Sequence, residues 1–129
     1  VGVIIMNWYF RALGKYATFA GRAPRKEYWY FGLINAAILT GLAIAISMTA
    51  SAGHSPLALT VVYAVFALLI LVPSISVLVR RLHDTDHSGW WFWISLLPGI
   101  GGLVLLVFAV LDSSPGNNQY GPSPKNMAV

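Results

Sequence analysis

Three long apolar runs without a single charge limit what this chain can fold into: Phe31 to Ala52, Leu57 to Val79 and Trp90 to Leu111. None contains Asp, Glu, Lys, Arg or His. A bilayer core about 30 Å thick needs roughly 20 helical residues to cross it. A helix that is apolar all round has no polar stripe to turn toward water, so runs of this kind belong in lipid. Only 9% of the 129 residues are charged, against about a quarter in soluble domains. The pattern predicts an all-α membrane protein in one domain, with transmembrane helices at 31–52, 57–79 and 90–111.

The N-terminal segment has another period. Asn7, Arg11 and Lys15 recur every fourth residue, with Trp8, Ala12, Leu13, Tyr16 and Ala17 largely opposite. That predicts a short amphipathic helix over 7–20, lying in the interface with its aromatic face in the headgroup boundary. The chain opens on Val1, and Met6 reads as an internal start preceded by an upstream extension. Ala50-Ser51-Ala52 resembles a signal-peptide cleavage site, but the apolar run is too long and begins too far along the chain, which favours a retained helix.

Orientation follows from the cations. Arg11, Lys15, Arg22, Arg25 and Lys26 precede the first run, and Arg80 and Arg81 close the second. The link Gly53-His54-Ser55-Pro56 has no Lys or Arg, and the tail has only Lys125. Seven of the eight basic residues therefore fall on one side, which predicts a cytoplasmic N-terminus in a multi-pass protein. Trp8, Trp29, Trp90, Trp91 and Trp93 fall at the same interface. The net charge of +4 borders apolar runs, so anionic phospholipid headgroups are the expected partner and nucleic acid is not.

Two prolines interrupt the pattern. Pro73 should kink the second helix. Leu97-Pro98-Gly99-Ile100-Gly101-Gly102 breaks the third run near its middle. It reads either as a kink at Pro98 in a spanning helix or as a re-entrant hairpin that returns the tail to the cytoplasm. The tail itself, 112–129, is rich in turn formers and should be irregular and water-exposed.

The chemically dense stretch is Arg80-Arg81-Leu82-His83-Asp84-Thr85-Asp86-His87-Ser88-Gly89-Trp90-Trp91. Three readings compete. In the first it is an interfacial connector, with Asp84 paired to Arg80 or Arg81 and with Asp86 or Ser88 capping the next helix. The second is an anion or headgroup site built from Arg22, Arg25, Arg80, Arg81, His83 and Asp84 and walled by Trp90 and Trp91. The third is a metal or proton-transfer site on His83, Asp84, Asp86 and His87, whose spacing matches no standard motif.

Without cysteine, thiol catalysis and thiolate metal sites are excluded. No nucleophile–base pair or phosphate loop appears, so no catalytic residue, cofactor or metal is assigned. Within the spans, Asn35 and the small-residue ribbon Ala37, Gly41 and Ala45 suit helix packing, inside the chain or between copies or membrane-protein partners. The leading expectation is a non-enzymatic protein acting through lipid or protein contacts at its cytoplasmic face. An oligomeric transporter or channel subunit is the second, and a headgroup-modifying enzyme using His83 and Asp84 the third.

Three motifs, Ala20-Gly21-Arg22-Ala23-Pro24-Arg25-Lys26-Glu27-Tyr28-Trp29, Arg80-Arg81-Leu82-His83-Asp84 with Ser88-Gly89-Trp90-Trp91, and Gly116-Asn117-Asn118-Gln119-Tyr120-Gly121-Pro122, together resemble the domain of unknown function 805 family. Its members are small bacterial inner-membrane proteins of the YhaH and YhaI type. The resemblance spans about Met6 to Lys125 and implies a bacterial cytoplasmic-membrane location and a compact few-helix fold, with no activity and no catalytic residue. Asp86-His87 departs from it, standing where the family often has Gly and a basic residue.

Overall fold

A computed structural model describes residues 2–124. In order, the elements are helix α1 (Gly2–Gly14), helix α2 (Arg25–Ser51), helix α3 (Leu57–Asp84), a 3-10 helix (Gly89–Leu96) and helix α4 (Ile100–Val110). Two helices, α2 with 27 residues and α3 with 28, are long and apolar enough to cross a membrane. Each is about 40 Å long at 1.5 Å per residue. Both extend past the apolar runs at the same end. α2 begins at Arg25, not Phe31, and α3 continues through Arg80–Asp84. These extra turns stay helical because their charges pair inside the protein.

α1 lies across the first part of α2. The amphipathic helix therefore starts earlier than expected and ends at Gly14 rather than at residue 20. Part of its aromatic face is turned into the protein. Trp8, Tyr9 and Ala12 are buried, and Tyr9 stacks on Phe31 at 5.2 Å and donates its hydroxyl to Asn35 Oδ1 at 2.9 Å. The apolar side chains α1 leaves exposed are Val3, Ile4, Met6 and Phe10. Tyr9, Ala12, Ala23, Phe31 and Val77 form the small core where α1, α2 and α3 meet.

Pro73 lies inside α3, where it has no N–H to give the carbonyl four residues back, that of Leu69. The Tyr16 hydroxyl donates to that carbonyl at 2.5 Å. A side chain from the loop after α1 thus repairs the hydrogen bond that proline removes.

The third apolar run is not one kinked helix. It breaks into the 3-10 helix and the 11-residue α4, joined by Leu97-Pro98-Gly99, and the two pieces pack on each other. Gly99 takes φ +78, a left-handed geometry that favours glycine. Gly101 is required for a second reason: a Cβ there would fall 1.7 Å from the Ile94 carbonyl oxygen. Within the turn, the Leu97 N–H bonds the Ile94 carbonyl and the Gly101 N–H bonds that of Leu97, each at 3.0 Å. At about 16 Å each, neither piece spans a 30 Å hydrocarbon core.

The far end of the hairpin comes back to where it began. The last carbonyls of α4 need donors from outside the helix. Trp29 Nε1 bonds the Ala109 carbonyl at 3.0 Å, and Arg25 Nη1 that of Val110 at 3.3 Å. Arg81 Nη2 bonds the Leu111 carbonyl. Residue 111 therefore sits beside the end of α3, five residues after which the hairpin begins at Gly89.

Candidate functional site

The basic end of the molecule is organised around two buried carboxylates. Asp84 and Glu27 are both inaccessible to solvent, as are Arg80 and Arg81. Arg80 Nη1 meets Glu27 Oε1 at 2.8 Å, joining α3 to the first turn of α2. Asp84 Oδ1 accepts from Arg22 Nε at 2.9 Å, while Oδ2 accepts from Arg81 Nη1 and, at 2.5 Å, from Ser113 Oγ. Three guanidinium groups thus surround two carboxylates. Burial of this kind is tolerable only when the charges are paired and their remaining donors are used.

Much of the remaining donor capacity goes to backbone. Arg80 Nε bonds the Thr18 carbonyl at 3.1 Å, and Arg81 Nη1 that of Ala23 at 3.0 Å. Arg22 clamps the tail: its Nη1 reaches the Gly116 carbonyl at 2.8 Å, and its Nη2 the Ser114 carbonyl at 2.8 Å. Ser76 Oγ bonds the Thr18 carbonyl at 2.6 Å, holding the α1–α2 loop against α3. Burial pushes the Lys15 ammonium in that loop below its ordinary range; Glu27 opposes the shift, and Arg80 and Arg11 add to it.

The C-terminus of α3 is closed by its own turn and by the tail together. The Asp86 N–H bonds the His83 carbonyl at 3.0 Å and the His87 N–H that of Leu82 at 2.9 Å, with Asp86 at φ +61. This is the paired-bond helix stop that glycine usually serves. The Asp84 carbonyl accepts from the Ser114 N–H at 2.8 Å, and the His83 carbonyl from Asn118 Nδ2 at 3.0 Å. His83 Nδ1 donates to the Gly21 carbonyl at 2.9 Å, and its ring stacks on Tyr120 at 3.9 Å and 3°.

These placements correct several expectations. Arg80 and Arg81, which one reading has offering forked donors to phosphate, are enclosed and directed at Glu27, Asp84 and carbonyls, with Arg80 Nη2 and Arg81 Nε left without a hydrogen-bond partner among the described residues. Arg22 is likewise buried. Arg25 is half exposed, 3.6 Å from Asp112. His83 and Asp84 are not an available acid–base pair, because both Asp84 oxygens are occupied and the imidazole lies between Gly21 and Tyr120. His87 turns away to Thr85 Oγ1, at 3.0 Å, and stacks on Phe108. Among the described residues no group of three His, Asp or Glu side chains is arranged to hold a metal.

Ser88 caps the 3-10 helix by accepting from the Trp90 N–H at 3.2 Å, leaving Trp90 and Trp91 exposed on the hairpin rather than walling the arginines. Asn35 Oδ1 accepts from the Tyr9 hydroxyl, which ties α2 to α1. Of the small-residue ribbon, Ala37 and Gly41 are exposed and Ala45 is partly buried; a Cβ on Gly41 would meet nothing within 4 Å. The tail is irregular but not loose. Residues 113, 114, 116, 118, 120 and 121 contribute to the network. Nothing in the tail's turn-forming composition indicated those partners; the recurrence of its motif in the family resemblance was the one available signal. Lys125 and the rest of the predicted tail lie outside the described residues.

The three motifs that stood far apart in the chain thus meet in one cluster: Arg22 and Glu27 from the first, Arg80, Arg81, His83 and Asp84 from the second, Gly116, Asn118 and Tyr120 from the third. The family model described as protein of unknown function (DUF805) matches residues 16–122. The chain belongs to the DUF805 family. Its similarity to relatives covers nearly the whole length. Inner membrane protein YhaH of Escherichia coli (strain K12) is 42% identical over 93% of this chain and 98% of its own. Inner membrane protein YhaI of the same strain is 42% identical over 93% of this chain and 97% of its own. No solved structure matches. For this DUF805 chain, the clustered motif residues have an evident structural task, which is to seal two helix ends and fix the tail.

Proposed function

We propose that this DUF805 protein is a non-enzymatic inner-membrane protein that acts at the cytoplasmic leaflet, through contact with anionic lipid. α2 and α3 cross the membrane, the hairpin 89–111 enters from the cytoplasmic side and returns, and both α1 and the tail stay on that side. The names of the E. coli relatives support the inner membrane. The cation bias supports the orientation. The return of Leu111 to Arg81 supports the re-entrant path. Trp90, Trp91 and Trp93, exposed on the 3-10 helix, suit the level of the headgroups.

One observation carries the functional reading. Seven cations and the whole polar network gather at one end of two otherwise lipid-facing helices, and the two buried carboxylates do not neutralise them. An excess of positive charge beside a bilayer attracts anionic headgroups. The test is thermal unfolding, followed by tryptophan fluorescence, in nanodiscs of phosphatidylcholine with and without phosphatidylglycerol. A ligand that binds the folded state raises its melting point. Phosphatidylglycerol should raise the midpoint, with the effect shrinking in high salt. Equal midpoints in both lipids would contradict the reading.

A further inference from the structure

A histidine titrates close to neutrality, and the fold grips His83 from three elements. It lies past Val79, the last residue of the apolar run, and keeps 8% of its surface in water. Its Nδ1 meets the Gly21 carbonyl at 2.9 Å, and its ring lies flat on that of Tyr120 at 3.9 Å and 3°. A carbonyl only accepts, so Nδ1 carries the proton of the neutral imidazole and Nε2 is left as the base. Nε2 has no hydrogen-bond partner among the described residues. It faces Gly89: a Cβ there would lie 3.5 Å from Nε2 and 2.7 Å from Val79 Cγ1. A proton added by acid must go to Nε2, where the chain offers the new N–H no acceptor.

No carboxylate stands ready for the charge either. On its own helix and the turn that follows, the ionisable neighbours are Arg80, Arg81, Asp84, Asp86 and His87; the loop ahead of α2 brings Arg22, and the tail Tyr120 and Asp112. The 3-10 helix that supplies Gly89 has none. Asp84 is taken by Arg22 and Arg81, Asp112 lies 3.6 Å from Arg25, and Asp86 accepts from Gln119 Nε2 at 3.4 Å. Among the described residues none of them pairs with the imidazole.

We infer that the His83–Tyr120 stack is a pH-sensitive strap: neutral His83 seats Tyr120 and its turn, Asn118–Gly121, on the end of α3, and protonation unseats them. The charged ring gains by moving out to water, and that movement breaks both the Gly21 bond and the stack. Arg22 holds the carbonyls of Ser114 and Gly116 whatever the state of His83, so the strap opens at its outer end. Burial holds the imidazole below its ordinary range, and the Gly21 bond opposes this only in part. A histidine held low stabilises the fold above about pH 6.5 and loses that contribution as pH falls through its folded value. The strap does not depend on what the basic face binds.

The test is hydroxyl-radical footprinting of the detergent-purified full chain, with oxidation of Tyr120 read by mass spectrometry and scaled to that of exposed Trp90. Between about pH 7.5 and about pH 5.5, which bracket the ordinary histidine range, Tyr120 oxidation in wild type should rise severalfold. His83→Asn keeps an N–H for Gly21, and His83→Phe keeps a flat ring for Tyr120. Neither gains a proton, so both should be as protected at the lower pH as at the higher. His87→Asn, which leaves the stack alone, should rise as wild type does. A flat wild-type profile would overturn the strap, and so would a fall, which would mean that the Tyr120 ring holds the imidazolium in place. A rise equal to wild type in either His83 variant, or its loss in His87→Asn, would overturn it by assigning the response to another group.

Discussion

Arg22 and Asp84 are 62 residues apart in the chain and meet through a 2.9 Å ion pair that solvent does not reach. Arg22 comes from the loop ahead of α2, and Asp84 ends α3. The same guanidinium holds the tail by the carbonyls of Ser114 and Gly116. One side chain therefore ties both ends of the chain to the end of a membrane helix. Arg22→Lys keeps the charge but loses the planar fork. We expect it to leave the protein folded and to free the tail, seen as rapid proteolysis within 112–124 under conditions where wild type is resistant.

Asp84→Ala removes the carboxylate from between two buried guanidiniums. An uncompensated buried charge costs about 3–5 kcal/mol. We expect a large fall in the thermal midpoint in detergent micelles. A change within the error of wild type would show that the network is not what secures this end.

Tyr16 and Pro73 should be energetically coupled. With Pro73 present, the Leu69 carbonyl has only the Tyr16 hydroxyl to replace its missing helical donor. Tyr16→Phe should cost about 1–2 kcal/mol. In a Pro73→Ala background, where the N–H returns, the same change should cost much less. A double-mutant cycle on thermal or denaturant unfolding measures the difference.

Asp86 holds the left-handed position that stops α3, at φ +61. Glycine takes that geometry without a Cβ penalty, so Asp86→Gly should stabilise the protein by about 0.5–1 kcal/mol. Asp86→Val should destabilise, since a β-branched residue resists φ above zero.

The hairpin provides a matched pair of glycine tests. Gly101→Ala would place a methyl group against the Ile94 carbonyl, whereas a Cβ on Gly102 would meet nothing within 4 Å. Gly101→Ala should lower the melting midpoint and shift tryptophan emission as the 3-10 helix separates from α4. Gly102→Ala should do neither.

Hydropathy made α2 and α3 legible, and turn composition marked the break at Pro98-Gly99. Neither reports partners distant in the chain. Arg25–Glu27 and Arg80–Asp84 lie outside the apolar runs, so hydropathy alone does not include them in the spans. Here Glu27 pairs with Arg80 across α2 and α3, and Asp84 with Arg81 and with Arg22 of the preceding loop. Trp8, Tyr9 and Ala12 formed a visible stripe, but the stripe alone did not say whether lipid or α2 would cover it. For the site, three readings of the stretch 80–91 compete: Arg81 pairs with Asp84 and Ser88 caps the next helix, as in the connector reading, while the reading as an open anion site meets enclosed arginines. Exposure of Arg80 and Arg81 depends on Glu27 and Ser113, which no local pattern links to them.

The central claim is that the third apolar segment returns, so that the N-terminus, the ion network and the tail share one face. The absence of cysteine makes this directly measurable. Single cysteines at His54 and at Asn117 can be probed in intact spheroplasts with a membrane-impermeant maleimide. We predict that His54→Cys is labelled from outside and that Asn117→Cys is labelled only after the membrane is opened. Labelling of Asn117→Cys in intact spheroplasts would contradict the account, because it would put the tail and the network on opposite faces.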